Sequence, residues 1–211
     1  MDLQVKQAGT LYVVATPIGN LGDITLRALE ILKSVDAIAA EDTRHTSGLL
    51  SHFGISKKLI AVHEHNEQQS TEKLVLALKN GENIALVTDA GTPAVSDPGA
   101  IVVKIVREAG MKVVPIPGAS AVVTALSASG ITQNGFYFHG FLPASGAARR
   151  KMLENLKLQT EILPKFWVVN VTLPLRENSP RHLKRFIPAL RAAPVLGCRP
   201  IKISSGVSLY C

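Results

Sequence analysis

Five short apolar runs punctuate the first 120 residues, at 10–15, 37–40, 59–62, 84–87 and 113–116. Each is apolar nearly throughout rather than alternating, and each ends in small or polar turn residues. Runs of this length and kind read as strands buried on both faces. The segments between them carry apolar residues at helical spacing. A helix over about 24–33 would turn Leu26, Leu29 and Leu32 inward, with Asp23 as its cap. A second places Leu74, Val75 and Leu78 on one stripe and ends at Gly81, a suitable C′ residue. A third repeats Ile101, Val102, Ile105 and Val106, and a small-residue helix runs from the turn at 117–121 to about Ser129. Strands alternating with helices imply a parallel sheet built by right-handed crossovers. The fold class is therefore α/β, and every polar cluster falls after a strand, on the carboxyl edge where such sheets bind ligands.

The stretch Val87-Thr88-Asp89-Ala90-Gly91-Thr92-Pro93-Ala94-Val95-Ser96-Asp97-Pro98-Gly99 joins the fourth strand to its helix. Asp97 is placed to cap that helix and Pro98 to occupy its first position. Gly91 removes a Cβ that would keep a ligand from the backbone. The plainer alternative is an ordinary βα turn, since Gly, Pro and Asp dominate turns. Four further clusters share the edge: the turn 16–23, Glu41-Asp42-Thr43-Arg44-His45-Thr46, His63-Glu64-His65-Asn66-Glu67, and Pro117-Gly118-Ala119-Ser120-Ala121. His63 and His65 suggest a metal, but alternate residues of an extended chain point opposite ways and no third ligand is evident, so no metal is assigned. There is neither a G-x-G-x-x-G nor a Gly followed by Lys-Ser/Thr, which argues against a nucleoside triphosphate. Ser120 lacks the second glycine of a nucleophile elbow.

The segment Ile131-Thr132-Gln133-Asn134-Gly135 breaks the alternation. It divides an N-terminal domain, 1–130, from a partial C-terminal α/β domain, 136–211, in which 136–143 reads as a strand and 149–158 as a basic helix. Residues 166–171 could form a strand, and the periodic signal decays after about residue 158. Charge follows the same division, with a formal −2 over residues 1–143 and +9 over 144–211. That basic tail fits either an RNA-facing surface or a terminus without a specific partner. No apolar run approaches the roughly 18 residues of a membrane span. The first residues lack a signal peptide's apolar core, and Cys198 and Cys211 match no metal or redox motif; both point to the cytoplasm.

Three of these stretches together resemble the tetrapyrrole methylase superfamily: the turn at Pro17, the loop from Asp89 to Gly99, and Pro117-Gly118-Ala119-Ser120-Ala121. Within it, Ala15-Thr16-Pro17-Ile18-Gly19-Asn20-Leu21-Gly22-Asp23-Ile24-Thr25, Ala40-Glu41-Asp42-Thr43-Arg44, His63-Glu64-His65-Asn66-Glu67 and Gly140-Phe141-Leu142-Pro143 resemble the ribosomal RNA small subunit methyltransferase I family. The motifs match in order from about residue 10 to 158. The resemblance implies S-adenosylmethionine as methyl donor, held between two α/β domains, and no metal. It implies 2′-O-methylation of a cytidine ribose in the decoding centre of 16S ribosomal RNA within the small ribosomal subunit, by a cytoplasmic homodimer. Carried over by position, the donor would meet Pro17, Ala90, Gly91, Thr92, Val95, Ser120 and Ala121. After about residue 158 the sequence departs from the family, with Leu163-Pro164-Lys165-Phe166-Trp167 where that family has an aromatic-Glu pair and a Pro-His-Arg motif. A frameshifted or truncated reading frame would produce such a tail.

A ribose hydroxyl is a weak nucleophile, so a carboxylate that takes or orients its proton would assist, while alignment with the sulfonium methyl supplies the rest. Asp89, Glu41 and Asp42 are the candidates, with Arg44 as a phosphate or carboxylate contact. Each has a structural alternative: Asp89 as a loop-fixing acceptor, Glu41 and Asp42 as partners of Arg44. Two other functions are weighed. One keeps the superfamily but methylates a small tetrapyrrole-like substrate, against which stand Glu41-Asp42-Thr43-Arg44 and the His63-to-Glu67 stretch; the other, motivated by the divergent tail, is a non-catalytic domain that binds the donor or a partner without turnover.

Overall fold

In a computed structural model of the chain, residues 7–63, 67–95, 99–128, 138, 140, 143, 145–162, 170–172, 200–202 and 208–210 are described. The five apolar runs become β1 (Thr10–Val14), β2 (Ala37–Ala40), β3 (Lys58–Ala61), β4 (Ile84–Val87) and β5 (Lys112–Ile116). All pair in parallel, in the order β3-β2-β4-β1-β5. β2 and β4 are buried at every residue, as strands covered on both faces must be. β5 lies at an edge of the sheet, where Pro115 is tolerated because a missing N–H can face outward.

Side-chain alternation sorts the strands into two cores. On one face Val14, Ile38, Ala40, Ala85 and Val87 pack with Ala28 and Leu32 of α1 (Leu26–Ser34) and Leu50 of α2 (Thr43–His52). On the other, Leu11, Ala39, Ile84 and Leu86 pack with Leu74, Val75 and Leu78 of α3 (Glu67–Lys79) and Val102 and Val106 of α4 (Ala100–Glu108). β1 and β4 are neighbours in the sheet, yet the helices that follow them lie on opposite faces. That is a topological switch point, and it opens a crevice at the carboxyl ends of the two strands.

Two helix starts differ from the sequence expectation. Residues Leu21–Asp23 form a single 3-10 turn, so the cap of α1 moves from Asp23 to Thr25, whose Oγ1 accepts from Ala28 N–H at 3.1 Å. Leu26, the first residue of the helix, is 80% exposed, while Ala28 and Leu32 are buried. The N-cap of α4 is Gly99; Asp97 and Pro98, expected there, lie outside the described residues. Ile101 is correspondingly half-exposed.

Two compact units divide the chain, 1–120 and 121–211. The first is the five-stranded sheet with its helices. The second contains α5 (Ala121–Ala128), α6 (Gly146–Ile162) and an antiparallel sheet of β6 (Asn170–Thr172), β7 (Pro200–Lys202) and β8 (Ser208–Tyr210), in the order β6-β8-β7. Residues 131–135, where the sequence places its boundary, lie outside the described residues.

Candidate functional site

Three βα loops of the first unit are tied together at the carboxyl edge of β4, β1 and β5. Thr16 N–H donates to the Gly91 carbonyl at 2.9 Å, and Gly91 N–H returns a bond to the Thr16 carbonyl at 3.0 Å. The Thr16 hydroxyl, itself buried, donates to the Thr88 carbonyl at 3.0 Å. From the other side, Thr92 Oγ1 donates to the Ala119 carbonyl at 3.2 Å. Chain segments far apart in sequence are thus pinned by two backbone bonds and two threonine hydroxyls, and every acceptor is a backbone carbonyl, which leaves little trace in composition.

Glycine is required at two points of this arrangement. Gly91 has φ +88°, a conformation that side chains with a Cβ rarely adopt. At Gly118 a Cβ would come within 2.8 Å of Ala15 Cβ, so the β5 turn approaches the end of β1 only without one. Pro17, buried, follows the bridge directly, and its fixed φ stiffens the first loop. Ala90 and Thr92 are half-buried, and Val95 presents an apolar side chain that is 57% exposed. Ser120 ends the first unit; Ala121 opens α5 in the second. The structure therefore brings Pro17, Ala90, Gly91 and Thr92 into one bonded seam, with Val95 on the same loop.

The carboxylate candidates sit one strand over. Asp42 caps α2: its Oδ1 accepts from Arg44 N–H at 2.8 Å and Arg44 Nε at 3.2 Å, and its Oδ2 from Arg44 Nη2 at 2.9 Å. The Arg44 side chain holds the Asp42 carboxyl down at about 2. Asp89 stands opposite, its Oδ1 accepting from Asp42 N–H at 3.2 Å. Burial pushes its carboxyl up, outweighing the His45 charge and the Asp42 amide, which pull it down. Glu41 is half-buried and engaged. Asp42 and Asp89 thus meet at one place with Glu41 next to them in the chain, and of the two aspartates Asp89 is the one whose surroundings make its carboxylate more basic than usual.

Thr16 and Thr88 were not singled out by the sequence. Thr88 Oγ1 is buried with no hydrogen-bond partner among the described residues, directly ahead of Asp89. A seam of small residues with an unsatisfied hydroxyl behind it and an exposed valine beside it suits a ligand with polar groups and a flat apolar part, as S-adenosylmethionine has. Among the described residues no three His, Cys, Asp or Glu side chains cluster to hold a metal; Glu64 and His65 lie outside them.

The model of the tetrapyrrole (corrin/porphyrin) methylases matches residues 10–170. Ribosomal RNA small subunit methyltransferase I of Escherichia coli O157:H7 is 56% identical over 155 residues, which cover 74% of this chain and 54% of that protein. The protein of the same name from Pasteurella multocida is 62% identical over 148 residues, 70% of this chain and 53% of its own. The chain spans about half the length of the curated relatives it matches. Among solved structures, diphthine synthase aligns with a TM-score of 0.60 at 16% identity, over 86% of this chain and 70% of that one, a likeness of fold.

Proposed function

This chain belongs to the tetrapyrrole (corrin/porphyrin) methylase family, and from that premise we propose that it takes part in S-adenosylmethionine-dependent 2′-O-methylation of a cytidine ribose in the decoding centre of 16S ribosomal RNA. The observation that carries the reading is the bonded seam at the switch point, Thr16 with Gly91 and Thr88. It holds small residues in a fixed arrangement at the edge where α/β folds bind ligands. The similarity to proteins named ribosomal RNA small subunit methyltransferase I directs the choice of acceptor.

In this reading Pro17, Ala90, Gly91, Thr92, Val95, Ser120 and Ala121 hold the donor. When bound, S-adenosylmethionine supplies an electrophilic methyl group on a sulfonium. Asp89 accepts the proton of the ribose 2′-hydroxyl, and the Asp42 amide keeps its carboxylate oriented. Asp42 itself, locked to Arg44, is a poor base and serves as a cap. Arg44 has an exposed guanidinium with donors to spare for an RNA phosphate. The substrate is the small ribosomal subunit, and the protein acts as a cytoplasmic homodimer without a metal.

Labelled methyl transfer tests the reading with three acceptors: small subunits lacking the modification, naked 16S RNA, and a porphyrinogen. We expect label in the small subunit at one cytidine, where it blocks alkaline cleavage of the following phosphodiester. Label in the porphyrinogen instead would replace this function with the small-molecule one, and donor binding without any transfer would leave a binding domain.

A further inference from the structure

Glu67 is a carboxylate in the wrong place for an ordinary helix start. It is the first residue of α3 and only 6% exposed, whereas glutamates are seldom buried unless something holds them. Its Oε1 accepts from the backbone N–H of Gly99 at 2.8 Å, across 32 residues of sequence. Gly99 is the N-cap of α4 and the last residue of the loop that begins at Thr88, and no side chain of its own caps that helix. The first turn of α3 is itself fixed: Thr71 Oγ1 donates to the Glu67 carbonyl at 2.5 Å, and Ser70 Oγ to the Ala61 carbonyl at the end of β3 at 3.3 Å.

The far end of this contact reaches the loop that carries the seam. A Cβ at Gly99 would lie 3.7 Å from Ala94 N and 3.1 Å from Leu86 Cδ2, so Gly99 sits against the residue preceding Val95 and against β4. Ala94 has φ +66°, a conformation non-glycine residues hold only when their surroundings impose it. At one end the 88–99 loop is pinned by Thr16; at the other its anchor is Glu67.

We propose that Glu67 is a positioning residue: its carboxylate, by holding Gly99, sets the conformation of the loop that carries Ala90, Gly91, Thr92 and Val95, and so sets affinity for the donor. The inference rests on the reading that this loop holds S-adenosylmethionine. Geometry and acceptor chemistry matter here more than charge. Gln keeps an oxygen at the same reach, Asp keeps the charge but falls a methylene short, and Ala removes both. Loss of the acceptor leaves a buried N–H without a partner at the loop's end, which corresponds to roughly ten-fold or more in the equilibrium that keeps the loop in place.

The test uses the full chain and three variants, Glu67→Gln, Glu67→Asp and Glu67→Ala, with two readouts. In donor-free hydrogen exchange, the amides of Gly91, Thr92, Ala94 and Val95 and those of 99–103 should exchange roughly ten-fold faster or more in Ala and Asp. Amides of β1 and β2 should be unchanged in all variants, and Gln should resemble the parent. In calorimetry with S-adenosylmethionine, Ala and Asp should bind roughly ten-fold more weakly or worse, with Gln restoring most of the affinity. Unchanged loop exchange in Ala, unchanged affinity in Ala, or Gln behaving as Ala overturns the proposal. Faster exchange spread evenly over β1 and β2 also overturns it, since that marks a merely structural carboxylate. If the parent binds no donor, the donor reading fails separately. The exchange data then decide the anchor alone, localised acceleration supporting it and no acceleration overturning it.

Discussion

The ends of β2 and β4 are adjacent in the sheet, with a hydrogen bond from Asp42 N–H to Asp89 just beyond them, yet they treat their aspartates in opposite ways. At the end of β2, Asp42 faces a guanidinium and its carboxyl is held at about 2. At the end of β4, Asp89 is half-buried beside the seam and its carboxyl is pushed up by burial. The same side chain is a structural cap in one place and a candidate base in the other. Solvent access and the nearest charge decide which, and neither can be assigned from residue type.

The largest effect that could break this contrast is expected at Asp89. Asp89→Asn should lower methyl transfer to small subunits by ~10²–10⁴-fold, the usual contribution of a general base, while calorimetry shows donor affinity little changed. Transfer within a few-fold of the parent would return Asp89 to the role of a loop-fixing acceptor. Next comes the brace behind it. Thr16→Val removes the hydroxyl that satisfies the buried Thr88 carbonyl and should cost about 1–3 kcal/mol in denaturant unfolding. An unchanged midpoint would show that the seam is held by the Thr16–Gly91 backbone bonds alone.

On the β2 side the effects are smaller. Asp42→Ala should lose a helix cap, about 1 kcal/mol, but keep most of the transfer rate, because the amide that orients Asp89 remains. A collapse of turnover to the level of Asp89→Asn would erase the distinction between the two carboxylates. The pH dependences should also differ in position. Asp89 must be ionised to accept a proton, so the transfer rate should fall as pH drops through a value above the ordinary 3.8. The cap contribution of Asp42, whose folded value is depressed, is present above 3.8 and is lost only as pH falls toward about 2. Arg44→Ala should change thermal stability least, since that guanidinium is 90% exposed and its ion pair is screened by water.

The frame of the first unit was legible because it follows local rules. Runs apolar on both faces gave β1, β2 and β4, helical spacing gave the buried stripe of α3, and the polar clusters fall at the carboxyl ends of the strands. Local rules also failed locally: Asn20 closes a short 3-10 turn by accepting from Gly22 N–H, the cap of α1 falls to Thr25, and Leu26 at the first helical position is exposed. The site was legible as a set of loops but not as an assembly. The Thr16–Gly91 bridge and the Glu67–Gly99 bond join residues 75 and 32 positions apart, and backbone partners carry no side-chain signature.

Titration of S-adenosylmethionine into the full chain and into Gly91→Val, both shown folded by circular dichroism, tests most directly whether this seam is the donor site. Gly91 holds φ +88° between the Thr16 bridge and the Ala119 carbonyl, so a branched side chain there is strained and, if the proposed donor site is right, stands where the ligand approaches. The account predicts saturable binding by the parent chain and a heat signal lost or strongly weakened in Gly91→Val. Equal affinity in the two folded proteins would contradict it and move the donor site elsewhere.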